Sequence, residues 1–262
     1  MSVLSLVSAH GSPGVTTTAL ALAATWPQHR RCIVVEADIS GGVIAVRFGM
    51  ADTPGLVSLA AAARRGGLSD ELVREHTQTL PGGLPVLVGP PSPDESQVVL
   101  RDTADELVGW ATVQSDLDVI VDGGRISTRS APSMPLLRAG PVMVVARPTV
   151  DQLRPAGIRC EALKTADSET SLLLVGDQPH GPSEVAAALH CPVVGVIAWD
   201  PKTAAVLAGT PGAIGSLRRS QLIRSAATLA AALAPLPHSD SAVATGDSGS
   251  VAPSAMAREV GS

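Results

Sequence analysis

The sequence predicts an α/β protein: one mostly parallel sheet of about seven strands, with helices on both faces. Three observations carry this. Short runs rich in Val, Leu and Ile recur along the chain, each bounded by Gly, Pro or Asp. Stretches of helical length and period separate most of them. Only 2% of the residues are aromatic against 45% hydrophobic overall, so the core has to be aliphatic, which suits buried parallel strands and Ala-rich helices.

The strand candidates are Ser2–Ala9, Cys32–Ala37, Leu84–Val88, Asp118–Asp122, Val142–Ala146, Ser171–Val175 and Val193–Ala198. The helical stretches are Thr16–Thr25, Gly55–Arg65, Asp94–Gln114, Asp151–Lys164 and Ser183–Leu189. Alternation of this kind predicts right-handed βαβ crossovers. Near the end, Leu222, Ile223, Ala226, Leu229, Ala230 and Leu233 fall on one helical face. A helix packed on the sheet fits better than a membrane-surface anchor, which would carry more basic residues and bulkier apolar ones.

A length of 262 residues suits one large domain. The domain is expected over residues 1–236; residues 237–262, mostly Ser, Asp, Ala, Gly and Thr, are expected to form a disordered tail because they offer little apolar surface to offset ordering. No apolar run approaches the roughly 20 residues that span a bilayer, and Met1–Ala9 lacks the charged region of a signal peptide, so a cytoplasmic protein is expected. Cys32, Cys160 and Cys191 lie far apart beside apolar segments and read as core thiols, not metal ligands.

The net charge is −5, and the Lys+Arg total of 19 includes only two lysines, Lys164 and Lys202. This argues against broad binding to nucleic acid. The pairs Arg30-Arg31, Arg64-Arg65 and Arg218-Arg219 read as solvated surface. His180 reads as a solvated loop residue.

Chemistry concentrates where the first strand runs into Ala9-His10-Gly11-Ser12-Pro13-Gly14-Val15-Thr16-Thr17-Thr18 and then a helix. Strand, Gly-rich loop and helix together can wrap an anion. Glycines allow tight curvature, backbone N–H groups turn inward, and the helix start adds partial positive charge. The hydroxyls of Thr16 and Thr17 stand where one could ligate Mg²⁺ and the other bond a phosphate.

On these residues the chain resembles the ParA/MinD family of P-loop NTPases, whose deviant phosphate loop reads Lys-Gly-Gly-x-Gly-Lys-Thr-Thr. On that pattern His10 replaces the signature lysine, Ser12 replaces a glycine and Val15 replaces the phosphate-loop lysine; Gly11, Gly14, Thr16 and Thr17 match. The resemblance implies ATP and Mg²⁺ as ligands, with Gly11, Ser12, Gly14, Val15, Thr16 and Thr17 around the phosphates. The departures weaken both. If each lysine makes a charge-assisted bond of roughly 1.5–3 kcal/mol, losing two costs about 3–6 kcal/mol, on the order of 10²- to 10⁴-fold in affinity. Pro13 also removes one backbone donor. Hydrolysis should suffer more than binding, because phosphoryl transfer relies on positioned cations.

Two later segments extend the resemblance. In Val34-Val35-Glu36-Ala37-Asp38, Asp38 takes the place of the family's water-orienting carboxylate, here a vestigial catalytic residue, and Glu36 stands in for the preceding Asp. Asp118-Val119-Ile120-Val121-Asp122-Gly123-Gly124 resembles the Walker B strand, which implies Asp122 with Thr16 at the metal. Where the family often places an adenine-contacting Asn, this chain has Gly176. The likeness runs in order from about Ser2 to Leu236 and is strongest to the TadZ/CpaE branch, although the receiver-like domain found before the first strand in that branch is missing from this sequence.

Two functions follow. One is a degenerate localisation or scaffold factor for pilus, secretion or partition machinery, with weak or no ATP hydrolysis, recruited by a protein partner to a cell pole or the inner membrane face. The alternative is an active Mg²⁺-dependent ATPase that dimerises on ATP to position cargo. Homodimerisation and peripheral membrane association stay open under either.

Overall fold

The computed structural model describes residues 3–11, 13–126, 133–164, 168–210, 217 and 219–234. Ser12 and the tail at 237–262 lie outside the described residues.

The strands are β1 (Val3–Ser8), β2 (Arg31–Glu36), β3 (Gln78–Thr79), β4 (Pro85–Leu87), β5 (Leu117–Arg125), β6 (Val142–Ala146), β7 (Thr170–Val175) and β8 (Val193–Ile197). They form one sheet in the order β3-β4-β2-β5-β1-β6-β7-β8, parallel throughout except for β3 against β4. All seven predicted strands are present. The eighth, β3, is a two-residue edge strand joined to β4 through Gly82 and Gly83, both at positive φ. Two residues are too few to show a hydrophobic period, so sequence pattern cannot find it.

The helices are α1 (Val15–Ala24), α2 (Ile44–Arg47), α3 (Leu56–Ala63), α4 (Asp70–His76), α5 (Pro93–Thr112), α6 (Met134–Arg138), α7 (Val150–Lys164), α8 (Pro182–Leu189), α9 (Pro201–Leu207) and α10 (Gln221–Leu233). Local chemistry sets several starts. Ser92 accepts a hydrogen bond from Glu95 N, with Pro93 in the first turn, and Ser220 caps α10 by accepting from Ile223 N.

Alternation along each strand assigns the two faces. From β1, Leu4 and Leu6 join Val34, Ile120, Met143 and Leu173 under α1 and α10, whose Leu20, Leu22, Leu222 and Leu229 fill that side. On the other face Val35, Val119 and Val121 pack beneath α3 and α5, and Val7, Val144, Leu172 and Leu174 beneath α7 and α8. The last helix is thus a core helix: Leu222, Ala226, Leu229 and Ala230 are buried, and a Cβ on Gly195 of β8 would lie 3.0 Å from Leu229.

The same parity decides the site. Glu36 and Asp122 continue the Val34 and Ile120 face, so both carboxylates turn toward α1, and they are direct cross-strand neighbours in the β2–β5 register.

One arginine pair departs from the solvated reading. Arg30 closes a bidentate ion pair with buried Asp118 at the amino end of β5, where Asp118 also accepts from the Trp26 indole N–H at 2.9 Å. Arg31 and Arg64 make exposed pairs with Asp116 and Asp102, as surface residues do. Cys32, Cys160 and Cys191 are free thiols; the last two are buried and hydrogen-bonded to each other between α7 and the start of β8. Among the described residues no helix is long and apolar enough to cross a membrane.

Candidate phosphate and metal site

The loop after β1 lies at the centre of the sheet's carboxyl edge, flanked by β5 and β6. Gly11 and Gly14 have φ of 66° and 104°, in the left-handed region where glycine meets no Cβ penalty. Gly14 is the N-cap of α1, and its carbonyl accepts from Thr18 N at 2.8 Å, so the helix points its first N–H groups into the loop. His10 is exposed. Val15 is not: its side chain is 6% exposed and belongs to the core cluster under α1. Where the resembling family carries a lysine, this chain has turned the position into core, leaving only its backbone for a ligand. Thr16 and Thr17 are partly buried at the helix start.

Asp122 is fully buried, with Oδ1 accepting from Gly124 N at 3.2 Å and Oδ2 without a hydrogen-bond partner among the described residues. Burial, reinforced by Glu36 and then Asp38, pushes its carboxyl up to about 7, against the opposing influence of the nearby Thr16 hydroxyl. A buried carboxylate oxygen with no partner, beside a threonine hydroxyl at a helix N-terminus, is the donor set a hexacoordinate Mg²⁺ uses together with water and phosphate. Thr16 and Asp122 therefore fit the metal, and Gly11, Gly14 and the α1 N-terminus fit a phosphate, with no lysine to accompany them.

Asp38 follows β2 and is partly buried. Its carboxylate accepts from Ser40 N at 2.7 Å and from the Arg125 backbone, and it lies against Gly124. Burial raises its carboxyl above the usual range, while Ser40 and the Arg125 guanidinium pull it down. Arg125, paired in register with Ser8, is a cation at this edge that sequence order does not reveal. Glu36 has a different task. It is 1% exposed and accepts from Val43 N at 2.6 Å, Ile44 N at 2.9 Å and Gly89 N at 2.8 Å, tying β2 to the start of α2 and to the segment after β4. Both of its oxygens hold backbone N–H groups. Thus β2 and β5 bring Asp38 and Asp122 to the same carboxyl edge as the loop, and Glu36 ties backbone segments together there.

Sequence reasoning missed a second group on the other flank. Arg147, just after β6, stacks its guanidinium 4.1 Å from the ring centroid of Trp199, just after β8. The Arg147 N–H donates to Gln152 Oε1 at 2.9 Å. The only available signal was a Trp immediately before Asp200-Pro201, the cap and first turn of α9. A groove of about 590 Å³ between α7 and α8 is lined by Leu153, Ile158, Val185 and Leu189 and includes none of the loop residues. His180, expected to be solvated, borders it and pairs with Glu184 at 2.8 Å.

The sheet order, the central glycine loop and the carboxylates at the ends of β2 and β5 define the ParA/MinD type of P-loop fold. The solved structures agree. The chain is similar to the cell-division ATPase MinD of Pyrococcus furiosus (20% identity, 88% of this chain and 98% of that chain, TM-score 0.66). It is similar to a ParA-family ATPase from Chlorobium tepidum TLS (20% identity, 88% and 99%, TM-score 0.69). It is also similar to the septum site-determining protein MinD of Pyrococcus horikoshii OT3, solved with Mg-ADP (18% identity, 87% and 93%, TM-score 0.67). No family model matches the sequence, and no curated protein matches it. What the chain shares with these ATPases is their fold.

Proposed function

We propose that this chain is a degenerate ParA/MinD-like protein, a localisation or scaffold factor for pilus, secretion or partition machinery with weak or no ATP hydrolysis. The observation that carries the reading is Val15. Its side chain is packed among core residues at the position where the resembling family places its phosphate-loop lysine, and exposed His10 takes the place of the other. Without the two lysines of the resembling loop against the transferred group, transition-state charge is poorly neutralised. The surface of the fold then does the work: a protein partner docks to it and brings it to a cell pole or the inner membrane face.

A specific observation favours the alternative, an active Mg²⁺-dependent ATPase that dimerises on ATP to position cargo: the unpartnered oxygen of Asp122 beside Thr16 keeps the metal side of the site. Bound Mg²⁺ would neutralise phosphate charge there, Thr16 and Asp122 would hold it, and Asp38 would orient a water molecule. Calorimetric titration with Mg-ATP, with a turnover assay and light scattering of the same samples, decides. Weak binding without turnover or dimerisation is expected; turnover of about 1 s⁻¹ or more, the low end of ordinary enzymes, would establish the alternative.

A further inference from the structure

We propose that Cys160 and Cys191 are an oxidation site: hydrogen peroxide converts the two thiols to a disulfide that staples α7 to the turn before β8. The site lies on the α7–α8 flank and stands independently of the phosphate loop. Both cysteines are free and 1% exposed, and their thiols are hydrogen-bonded to each other.

The backbone around them is pinned on both sides. Gly157, about one turn before Cys160 on α7, lets α8 come close: a Cβ there would lie 3.0 Å from Leu189 Cδ2. Lys164, one turn after Cys160 on the same face, donates from Nζ to His190 O at 2.9 Å. His190 ends α8 at φ 48°, a left-handed position more usual for glycine, and that turn carries the chain inward, so Cys191 is buried while His190 is exposed. Contacts before and after Cys160 therefore hold the two residues that lead into Cys191. Closing the sulfurs from hydrogen-bonding reach to the roughly 2.05 Å of an S–S bond then draws on side-chain rotation more than on backbone movement.

The two sulfurs differ in readiness. The Cys160 thiol donating to it, and then the Lys164 ammonium, lower Cys191 to about 7 against the opposing effect of burial, so much of it is thiolate near neutral pH. Cys160 is pushed up by Cys191 and by burial, and keeps its proton. Cys160 lines the α7–α8 groove together with Leu189 and His190, which gives a small oxidant its approach. The Cys191 thiolate attacks one peroxide oxygen and the O–O bond breaks; the departing hydroxide takes up the proton Cys191 had released and leaves as water. Cys191 is then a sulfenic acid. The Cys160 sulfur attacks the Cys191 sulfur, the S–O bond breaks, and the hydroxyl leaves with the Cys160 proton as a second water. Two thiols and one hydrogen peroxide become one disulfide and two waters.

The test treats the full chain with excess hydrogen peroxide and reads free thiols after denaturation, the intact mass, and tryptic peptides without reduction. Two of the three thiols should disappear together, with the mass falling by two hydrogens and the peptide Cys160–Lys164 linked to the one that carries Cys191. Dithiothreitol should restore both. The oxidised chain should melt about 5–10 °C higher than the reduced one. Cys160→Ala should leave Cys191 as a sulfenic acid that dimedone traps, and Cys191→Ala should slow oxidation of Cys160 by about tenfold or more. Cys32, raised by burial, should stay reduced throughout. Unchanged thiols, a disulfide through Cys32 or between two chains, oxidation of Cys191 without a cross-link in the native chain, or a cross-linked chain that melts no higher than the reduced one would each overturn the proposal.

Discussion

The carboxylate of Asp38 lies so close to the α-carbon of Gly124 that a Cβ there would land on its oxygens, and Gly124 has φ of 56°. The end of β2 and the end of β5 can meet only because residue 124 lacks a side chain. Gly124→Ala should therefore destabilise the fold by about 1–3 kcal/mol, through backbone strain and overpacking together. Urea unfolding measures it. The double variant Asp38→Ala, Gly124→Ala should recover part of the loss; equal losses in single and double variants would show that the contact is not the cause.

Asp122 makes stability depend on pH. Its folded pKa, raised to about 7, stands above the ordinary value near 3.9, so the native state holds the proton more tightly than the unfolded chain. The contribution is fully present at the acid end of that window. It is lost as pH rises through about 7, and Glu36, raised in the same direction by burial, adds to the trend. Asp122→Asn should match the native protein near pH 4 and be more stable at pH 8, by on the order of a few kcal/mol, in melts run with a chelator. A variant gain independent of pH would show that the Asp122 proton is not involved.

Glu36 tests the division of labour among the carboxylates. Glu36→Ala leaves three backbone N–H groups without their acceptor and should cost about 3 kcal/mol or more. Glu36→Gln should lose less, since its single amide oxygen still accepts. Thermal unfolding ranks the two, and Mg-ATP affinity of the folded Gln variant should stay within about threefold of native. A selective loss of affinity would return Glu36 to the ligand site.

Val15→Lys asks whether the loop still has phosphate geometry. Placing an ammonium at a position buried among Leu6, Leu20 and their neighbours should lower apo stability by about 1–3 kcal/mol. If the four-carbon stem lies along the core and the ammonium reaches the loop, Mg-ATP affinity should rise by about 1.5–3 kcal/mol. Scanning calorimetry and titration calorimetry separate the two effects. Lower stability with no affinity gain would mean the loop no longer places a phosphate near α1. Adding His10→Lys should help further only if two chains meet.

The sequence by itself determined the sheet, because short aliphatic runs bounded by Gly, Pro or Asp suit strands buried on both faces, and their alternation with helical periods gives the crossover pattern. It also located the loop at Gly11 to Thr17, Asp38 and Asp122, since a strand ending in Gly or Asp announces its carboxyl edge. What those residues do was a tertiary decision. Glu36 and Asp38 are two residues apart and look alike in sequence, yet one is surrounded by three N–H donors from distant segments and the other faces Gly124 and Arg125. Val15 reads as a lost lysine, and only the packing beneath α1 shows that its side chain has become core. Arg147 and Trp199 are separated by more than fifty residues and meet because β6, β7 and β8 are neighbours in the sheet. Local patterns report what a segment buries; which side chains converge at an edge depends on strand order, and strand order follows from the packing of the whole chain.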